Sequence, residues 1–227
     1  MMFRKIWIAP LLVAALSAPA AAAPPLPADP RAAKAVQDYL RLQQAEQDKD
    51  RAERITARLD TLENNPGSPV LANPQGFVTI VAFFDYTCPY CKAAEPRLMR
   101  LVDQDKRIKL VMKEFPILTK ASAIAARAAL AANKQGKYRA FHMAMMRREG
   151  ALDEAGIFET ARAVGLDVGR LRRDMTAPDI NEEIIANFNL ARGIRVFQTP
   201  AYIVGGRFVS GNSADIDFAR EVAAAKR

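Results

Sequence analysis

The spacing of apolar and polar positions predicts a mixed α/β protein. Residues 77–84 and 108–115 are almost wholly apolar and rich in β-branched and aromatic side chains, as is typical of strands covered on both faces. The long connection between them implies a crossover, and a crossover implies that these two strands pair in parallel. Three shorter strands are predicted at 70–71, 201–204 and 207–209.

Helical periodicity accounts for much of the remaining chain. One helix, from about 89 to 102, separates the two long strands, and a helix-rich insertion spans about 121–192. The last two strands form a hairpin around the glycine pair 205–206. A final helix is predicted at about 214–225, with Ser213 as its N-cap. Within the insertion, helices are predicted at about 121–134, 137–148, 153–163, 167–174 and 179–191.

The first 66 residues differ in composition from the rest. Two basic residues precede an apolar run at 6–16 and a stretch of small residues, which is the pattern of a cleaved secretory signal at 1–22. Residues 23–66 are a proline-rich spacer followed by a polar helix at 31–62 whose apolar positions do not form a clean heptad. That helix either packs on the main domain, 67–227, or joins copies of the chain into a homo-oligomer.

Length and charge limit the classes of function. A chain of 227 residues, half of them hydrophobic, suits one well-buried domain. The net charge is +8, but the densest basic pairs, at 147–148 and 172–173, are typical of solvated helix faces. We therefore expect no nucleic-acid partner.

The two cysteines, Cys88 and Cys91, are spaced C-x-x-C between a predicted strand and a predicted helix. A bridge across two residues closes too small a loop to restrict the unfolded chain, so the pair favours chemistry over stapling. Free N–H groups and the dipole at a helix N-terminus stabilise a thiolate. Cys88 is therefore expected to be an exposed nucleophile with a lowered pKa, and Cys91 the resolving thiol one turn inside.

Metal binding is the main alternative for the cysteine pair. A structural zinc site usually needs four Cys or His ligands, and His142 is the one further residue of that kind. His142 lies in a methionine-rich stretch that could hold a soft copper ion, but packing in the core is the favoured interpretation. No cofactor and no metal are expected. A periplasmic copper- or zinc-binding protein that uses the reduced cysteines stays open as an alternative.

Three motifs together resemble a known family. They are F-F-D-Y-T-C-P-Y-C-K at 83–92, K-E-F-P-I-L at 113–118 and Q-T-P-A-Y at 198–202. They resemble the DsbA-like thiol–disulfide oxidoreductases, near the copper-sensitivity suppressor C-like group, over about residues 68–227. The resemblance implies an α/β thioredoxin fold with an inserted helical subdomain, to which this chain adds an N-terminal helical extension.

The resemblance also implies which residues form the site. It implies a cis peptide bond before Pro200, a position that is chemically sensible because cis bonds are largely confined to proline. In relatives this loop docks the substrate chain beside the first cysteine. The matching residues are the catalytic Cys88 and Cys91, the dipeptide Pro89-Tyr90 between them, and the docking loop Thr199-Pro200.

One position departs from the family pattern. Many relatives carry a buried carboxylate that assists proton transfer six residues before the first cysteine, where this chain has Ala82. Asp85, Glu95 or Glu114 is therefore expected to take over the proton relay, or water does. Glu95 lies where relatives often carry an acid near the disulfide, and a surface helix carboxylate is its alternative.

The resemblance implies an exported, periplasmic enzyme that exchanges disulfides with protein substrates and is reset by a membrane-bound redox partner. Two activities stay open. Thr199 and the N-terminal helix favour an isomerase, whereas the C-P-Y-C centre with a DsbA-like insertion is compatible with an oxidase. A glutaredoxin-like reductase also uses C-P-Y-C, but it would lack the signal segment.

Overall fold

The computed structural model describes residues 29–209 and 216–225, and within these ranges five strands form one mixed sheet. The strand order is β1-β3-β2-β4-β5, with β2 and β3 parallel and the other neighbours antiparallel. The parallel pairing and the α/β fold class are confirmed. The strands are β1 Val70–Ala72, β2 Val78–Phe84, β3 Ile108–Glu114, β4 Ala201–Val204 and β5 Arg207–Val209.

The helices lie on both faces of this sheet and in the predicted insertion. Helix α4 contacts each of the other four helices between β3 and β4, and its buried alanines allow their close approach. The helices are α1 Pro30–Thr56, α2 Leu59–Asn64, α3 Pro89–Gln104, α4 Lys120–Asn133, α5 Tyr138–Arg147, α6 Glu154–Ala163, α7 Val168–Asp174, α8 Pro178–Gly193 and α9 Phe218–Ala224.

The two faces of the sheet belong to two separate cores. Side chains alternate between faces along a strand, so neighbouring residues of β3 enter different cores. Met112 packs with α3 and the insertion helices in the larger core, whereas Val111 packs in the smaller core. The smaller core also holds Ile55 and Leu62, both fully buried.

The chain divides into two units, with the boundary between Ala45 and Glu46. In the first unit, the described part is helical, and its apolar side chains Tyr39, Leu40 and Leu42 are exposed. The second unit holds the sheet and all later helices. The predicted N-terminal segment 23–66 therefore contributes to both units.

Two helix boundaries differ from the sequence-based prediction. The single helix predicted at 31–62 is interrupted at residues 57–58, because the Arg58 N–H bonds the carbonyl of Ile55 three residues back and closes a tight turn. Helix α9 begins at Phe218 instead of Ala214, and Asp217 caps it by accepting from the Arg220 N–H at 3.0 Å.

Some predicted features fall outside the described residues. The signal segment 1–22 and the predicted cap Ser213 are among them. Across 29–209 and 216–225, no helix combines the length and apolar character needed to cross a membrane. The predicted hairpin is present, and the φ angles of Gly205 and Gly206 are 52° and 76°, in the left-handed region that such a tight turn requires.

Candidate active site

Cys88 lies where β2 passes into α3, at the N-cap of the helix. Its Sγ accepts a hydrogen bond from the backbone N–H of Cys91 at 3.3 Å, which satisfies one of the free donors of the first turn. Pro89 occupies the first helical turn, where its missing N–H costs nothing. The sequence therefore builds a helix N-terminus that points its donors at one sulfur atom.

The two thiols differ in acidity and not in exposure. Both cysteines are free, and each residue is only 2% exposed. A hydrogen bond from Cys91 is the main cause that lowers the pKa of Cys88 to about 6, against an opposing effect of burial. Burial raises the pKa of Cys91 well above its usual range, and the neighbouring Cys88 raises it further. Cys88 is thus the thiolate of the pair, although the expectation that it is exposed is wrong.

The loop before β4 covers Cys88. The peptide bond between Thr199 and Pro200 is cis, and the carbonyl oxygen of Thr199 lies 3.4 Å from Cys88 Sγ, within hydrogen-bond distance of the sulfur when it is protonated. The hydroxyl oxygen Oγ1 of Thr199 is buried and has no hydrogen-bond partner among the described residues. This loop therefore brings one carbonyl and one unused hydroxyl to the sulfur, and its role in docking substrate stays a prediction.

Asp85 fastens the loop that leads to Cys88. Its Oδ1 accepts from the Thr87 N–H at 2.7 Å, the Thr87 hydroxyl at 2.9 Å and the Ser122 hydroxyl at 2.7 Å. Its Oδ2 accepts from the Leu118 N–H at 3.0 Å. These bonds tie the end of β2 to the start of α4. Within the part of the chain that the structure describes, Asp85 therefore shares no hydrogen bond with the other two candidate relay residues, although its charge raises the pKa of Glu114.

Glu95 and Glu114 are the two ends of a buried chain of hydrogen bonds. Glu95 Oε1 lies 2.8 Å from His142 Nε2, and His142 Nδ1 lies 3.0 Å from the Tyr86 hydroxyl. The Tyr86 hydroxyl bonds Glu114 Oε1 at 3.1 Å, and the Tyr138 hydroxyl donates to the same oxygen at 2.8 Å. We call Glu95, His142, Tyr86 and Glu114 the Glu95–Glu114 chain, and Tyr138 bonds its Glu114 end from the side. Its members come from α3, α5, β3 and the loop after β2.

Burial controls protonation at the Glu114 end of this chain. It raises the pKa of Glu114 well above the usual range, although the hydrogen bonds of Tyr138 and Tyr86 oppose the shift. Burial, followed by the charge of Glu114, also raises the pKa of both tyrosines. The protonated form of Glu114 is therefore favoured.

Sequence reasoning missed the part that His142 plays. The residue is fully buried, as a core interpretation requires, but both of its ring nitrogens bond polar partners. A buried imidazole needs such partners, and Tyr138 lies one helical turn earlier on the same face of α5. That spacing was the available signal. Among the described residues, no group of three or more His, Cys, Asp or Glu side chains is placed to hold a metal ion.

Apolar side chains are exposed on the segments that meet at the thiols. Tyr90 is 59% exposed, Leu118 50% and Phe197 68%. Beside them, an open groove of about 650 Å³ runs between the start of α3 and the end of α5, lined among others by Pro89 and Met146. Exposed apolar side chains therefore lie on three segments of this region, and the groove begins at Pro89 next to Cys88.

The protein combines a thioredoxin-like sheet, two cysteines at a helix N-terminus and a cis-proline loop against the first sulfur. These features define a thioredoxin-fold protein with a dithiol centre. The family model of the DSBA-like thioredoxin domain matches residues 79–223. The chain belongs to this family, whose members are thiol–disulfide oxidoreductases, and the resemblance seen in the sequence is confirmed.

Solved structures share the fold. A thioredoxin-like oxidoreductase from Silicibacter pomeroyi is 44% identical, with a TM-score of 0.69, over 74% of this chain and 98% of the other. The catalytic domain of Proteus mirabilis ScsC is 24% identical, with a TM-score of 0.68, over 76% of this chain and 96% of the other. At the lower identity the likeness shows the fold alone.

A curated relative shares part of the chain. The Na(+)/H(+) antiporter NhaA 1 of Salinispora arenicola is 30% identical over 132 residues, which are 57% of this chain. The chain spans only 20% of the length of that relative.

Proposed function

We propose that this chain is an exported thiol–disulfide oxidoreductase that exchanges disulfides with protein substrates through its C-P-Y-C centre. The observation that carries the proposal is the opposite shift of two thiol pKa values, lowered to about 6 at Cys88 and raised by burial at Cys91. Disulfide exchange needs this asymmetry, because one sulfur must attack or leave as a thiolate while the other stays protonated.

The oxidised form acts as a disulfide donor. A substrate thiolate attacks Cys88 Sγ, a new S–S bond forms, and the electron pair of the broken Cys88–Cys91 bond goes to Cys91, which takes a proton. A second substrate thiolate then attacks the substrate sulfur of the mixed disulfide and releases Cys88 as a thiolate. A thiol of low pKa leaves fast, so the acidity of Cys88 favours this direction.

The reduced form runs the same chemistry in reverse. The Cys88 thiolate attacks a substrate disulfide, and Cys91 resolves the mixed disulfide or the substrate rearranges first. Oxidase and isomerase thus share one site and differ in which form persists. The thiolate stabilisation at Cys88 favours the oxidase, since it stabilises the reduced product. The exposed apolar side chains of the helix before Glu46 favour an oligomeric isomerase.

Protein chains are the proposed substrates. The exposed rings of Tyr90 and Phe197 offer apolar contacts beside the sulfur, and the buried hydroxyl of Thr199 offers a polar one. The signal-like segment 1–22 supports export to the periplasm. There, a membrane-bound redox partner would reset the pair. The chain's similarity to an oxidoreductase over 98% of that relative supports the same class of reaction.

Cysteine variants test the exchange reaction. We expect Cys91→Ser to accumulate mixed disulfides with substrates through Cys88, seen as new bands on a non-reducing gel, because the resolving thiol is gone. Cys88→Ser, the matched control with the same loss of one sulfur, should show no such bands and no exchange. Trapped species in Cys88→Ser but not in Cys91→Ser would reverse the assignment of the nucleophile.

A second measurement separates oxidase from isomerase. The reduction potential of the Cys88–Cys91 pair is measured in a glutathione series, together with reactivation of scrambled ribonuclease by the same sample. An oxidising potential, near about −120 mV, without reactivation identifies a disulfide donor. Reactivation by the reduced protein identifies an isomerase.

A further inference from the structure

The Glu95–Glu114 chain can carry a proton in either direction without moving a heavy atom. In one arrangement, Glu114 is protonated and donates to the Tyr86 oxygen, Tyr86 donates to His142 Nδ1, and His142 Nε2 donates to the Glu95 carboxylate. In the other, protonated Glu95 donates to Nε2, Nδ1 donates to Tyr86, and Tyr86 donates to Glu114. Every bond is kept and its direction reversed, so one proton has passed from Glu114 to Glu95.

The chain is closed to water along its length. His142 is fully buried, Tyr86 and Glu114 are each 1% exposed, and Glu95 is 5% exposed. Aromatic rings hold the imidazole in place, since Phe84 meets it edge-on and Tyr138 stacks on it with ring centroids 5.6 Å apart. A proton on this chain therefore moves between its members more readily than it reaches solvent.

The Glu95 end of the chain lies on the same helix face as the resolving thiol. Glu95 follows Cys91 by four residues on α3, so both side chains lie on one face of the helix, and both are buried. After burial, the charges of Cys91 and Glu95 are the next causes that raise the pKa of Tyr202, which places both groups near this ring.

We propose that Glu114 is a buried store for the proton that Cys91 exchanges, and that Tyr86 and His142 conduct this proton to and from Glu95. The proposal rests on the proposed disulfide exchange and names the proton path of that reaction. His142 and Tyr86 act through Glu95 and are positioning residues. Glu95 delivers the proton to the sulfur.

The step balances in protons and electrons. When the Cys88–Cys91 bond breaks under attack by a substrate thiolate, its electron pair goes to Cys91 Sγ. Glu95 receives a proton along the chain from Glu114 and passes it to that sulfur, so that Glu114 is left unprotonated. Glu114 recovers its proton from solvent afterwards. In the reverse direction, Glu114 first releases its proton to solvent. Cys91 then gives its proton to Glu95 as it attacks the mixed disulfide, and the chain carries this proton to Glu114.

Charges around the chain keep the proton on Glu114 at rest. After burial, Asp85 and Glu183 are the causes that raise its pKa, whereas the two tyrosine hydrogen bonds lower it. The charges that raise the pKa of Glu114 come from Asp85 in the loop after β2 and Glu183 in α8. The charges that act together with Glu95 on Tyr202 in β4 are those of Cys88, Cys91 and Arg97. The store therefore releases its proton along the chain only when a stronger base, the Cys91 thiolate, appears at the other end.

His142→Gln tests conduction separately from hydrogen bonding. A glutamine amide can donate to Glu95 and accept from Tyr86, but it cannot exchange its donor and acceptor ends as an imidazole does. The readout is the rate at which glutathione reduces the oxidised full-length protein near pH 8, followed by alkylation of the released thiols. We expect this rate to fall about tenfold. The fall should be smaller than for the loss of a group in direct contact with the sulfur, because Glu95 remains. Added imidazole buffer, an external proton donor, should restore most of the rate.

Tyr86→Phe and Tyr138→Phe are the matched pair of variants. Each removes one buried oxygen that bonds Glu114, but only Tyr86 lies between the two carboxylates. Tyr86→Phe should reproduce the loss and its rescue, and combining it with His142→Gln should add little, since one path is cut twice. Tyr138→Phe should keep the wild-type rate. If His142→Gln does not fold, Tyr86→Phe alone serves as the test variant.

Three results would overturn the proposal. Wild-type rates in both His142→Gln and Tyr86→Phe would show that the chain only holds the fold. An equal loss in Tyr138→Phe would show that any change at Glu114 has the same effect. Absence of exchange by the wild-type protein itself would remove the proposed function and the relay together, whereas normal exchange in all three variants would remove the relay alone.

Discussion

Lys113 and Glu114 are neighbours on β3, both ionisable and both buried, yet their side chains enter opposite faces of the sheet. Glu114 joins the chain that leads to Glu95. Lys113 Nζ donates to the Ser68 hydroxyl at 2.7 Å and to the Thr61 carbonyl at 3.3 Å. The Ser68 hydroxyl donates in turn to Glu183 Oε1 at 2.6 Å. One strand therefore supports two buried polar networks of different kinds.

The two networks differ in whether the direction of their hydrogen bonds can reverse. A protonated lysine has donors and no acceptor, so the bonds from Lys113 through Ser68 to Glu183 have one direction only. In the Glu95–Glu114 chain, the acids, the imidazole and the Tyr86 hydroxyl can each both donate and accept. The first network can only hold α2 and α8 to the sheet. The second can hold its elements together and also move a proton.

Truncation of the N-terminal segment should have the largest effect, because it removes side chains from the smaller core, on the Lys113 face of the sheet. A chain beginning at residue 64 loses Ile55 and Leu62, both fully buried, and the Thr61 carbonyl that bonds Lys113. At roughly 1.5–3 kcal/mol for each buried side chain, we expect a loss of about 5 kcal/mol in the free energy of unfolding. Urea unfolding measures it. A chain beginning at residue 46 is the control and should keep its stability; equal losses in both would contradict the assignment of residues 46–63 to the core.

Lys113→Met should have the next largest effect, and it should be confined to stability. Removing the cation deletes its hydrogen bonds to the Ser68 hydroxyl and the Thr61 carbonyl and takes away the positive charge near Glu183, which costs roughly 1–3 kcal/mol. The pKa of the Cys88 thiol, titrated by its thiolate absorbance, should not change, since Lys113 faces away from the redox centre.

The same substitution at Lys109 is the matched control for this prediction. Lys109 lies on the same strand and bonds Asn64 at the surface, at 2.8 Å. Its replacement by methionine should change stability by less than about 1 kcal/mol. A shift of the Cys88 pKa in Lys113→Met would show that the two faces of the sheet are coupled.

Local signals were enough to predict the place of the cysteine pair at a helix N-terminus and the strands on either side of that helix. An apolar strand followed by C-P-Y-C places a cysteine at a helix N-terminus whatever the rest of the chain does. The cover over that cysteine was not predictable in this way, because the Thr199 carbonyl comes from a loop 111 residues away. Exposure of a side chain depends on which distant segment packs over it, so Cys88 was wrongly expected to be exposed.

The two buried networks show the same limit for polar side chains. Periodicity places Lys113 and Glu114 on opposite faces of the sheet, but it does not predict which polar partners each side chain finds there. The partners of His142 are 47 and 56 residues away along the chain, so its helix indicates a buried position without indicating what it bonds. The hydrophobic pattern of the sequence predicts which residues pack in the core. The hydrogen-bond partners of buried polar residues depend on the tertiary structure.

The smallest expected effect is the change of stability with pH that Lys113 contributes. Burial lowers the pKa of Lys113 to about 8, from 10.5 in the unfolded chain. Between these values the unfolded chain binds more protons than the folded one, so the contribution of Lys113 to stability rises with pH and is constant below the folded pKa. The stability difference between the wild type and Lys113→Met should therefore grow by about 1 kcal/mol from about pH 7 to about pH 9. Other titrating groups are common to both proteins and cancel in this difference, so a difference that shrinks as pH rises would mean that Lys113 is held charged by Glu183 more strongly than burial disfavours the charge.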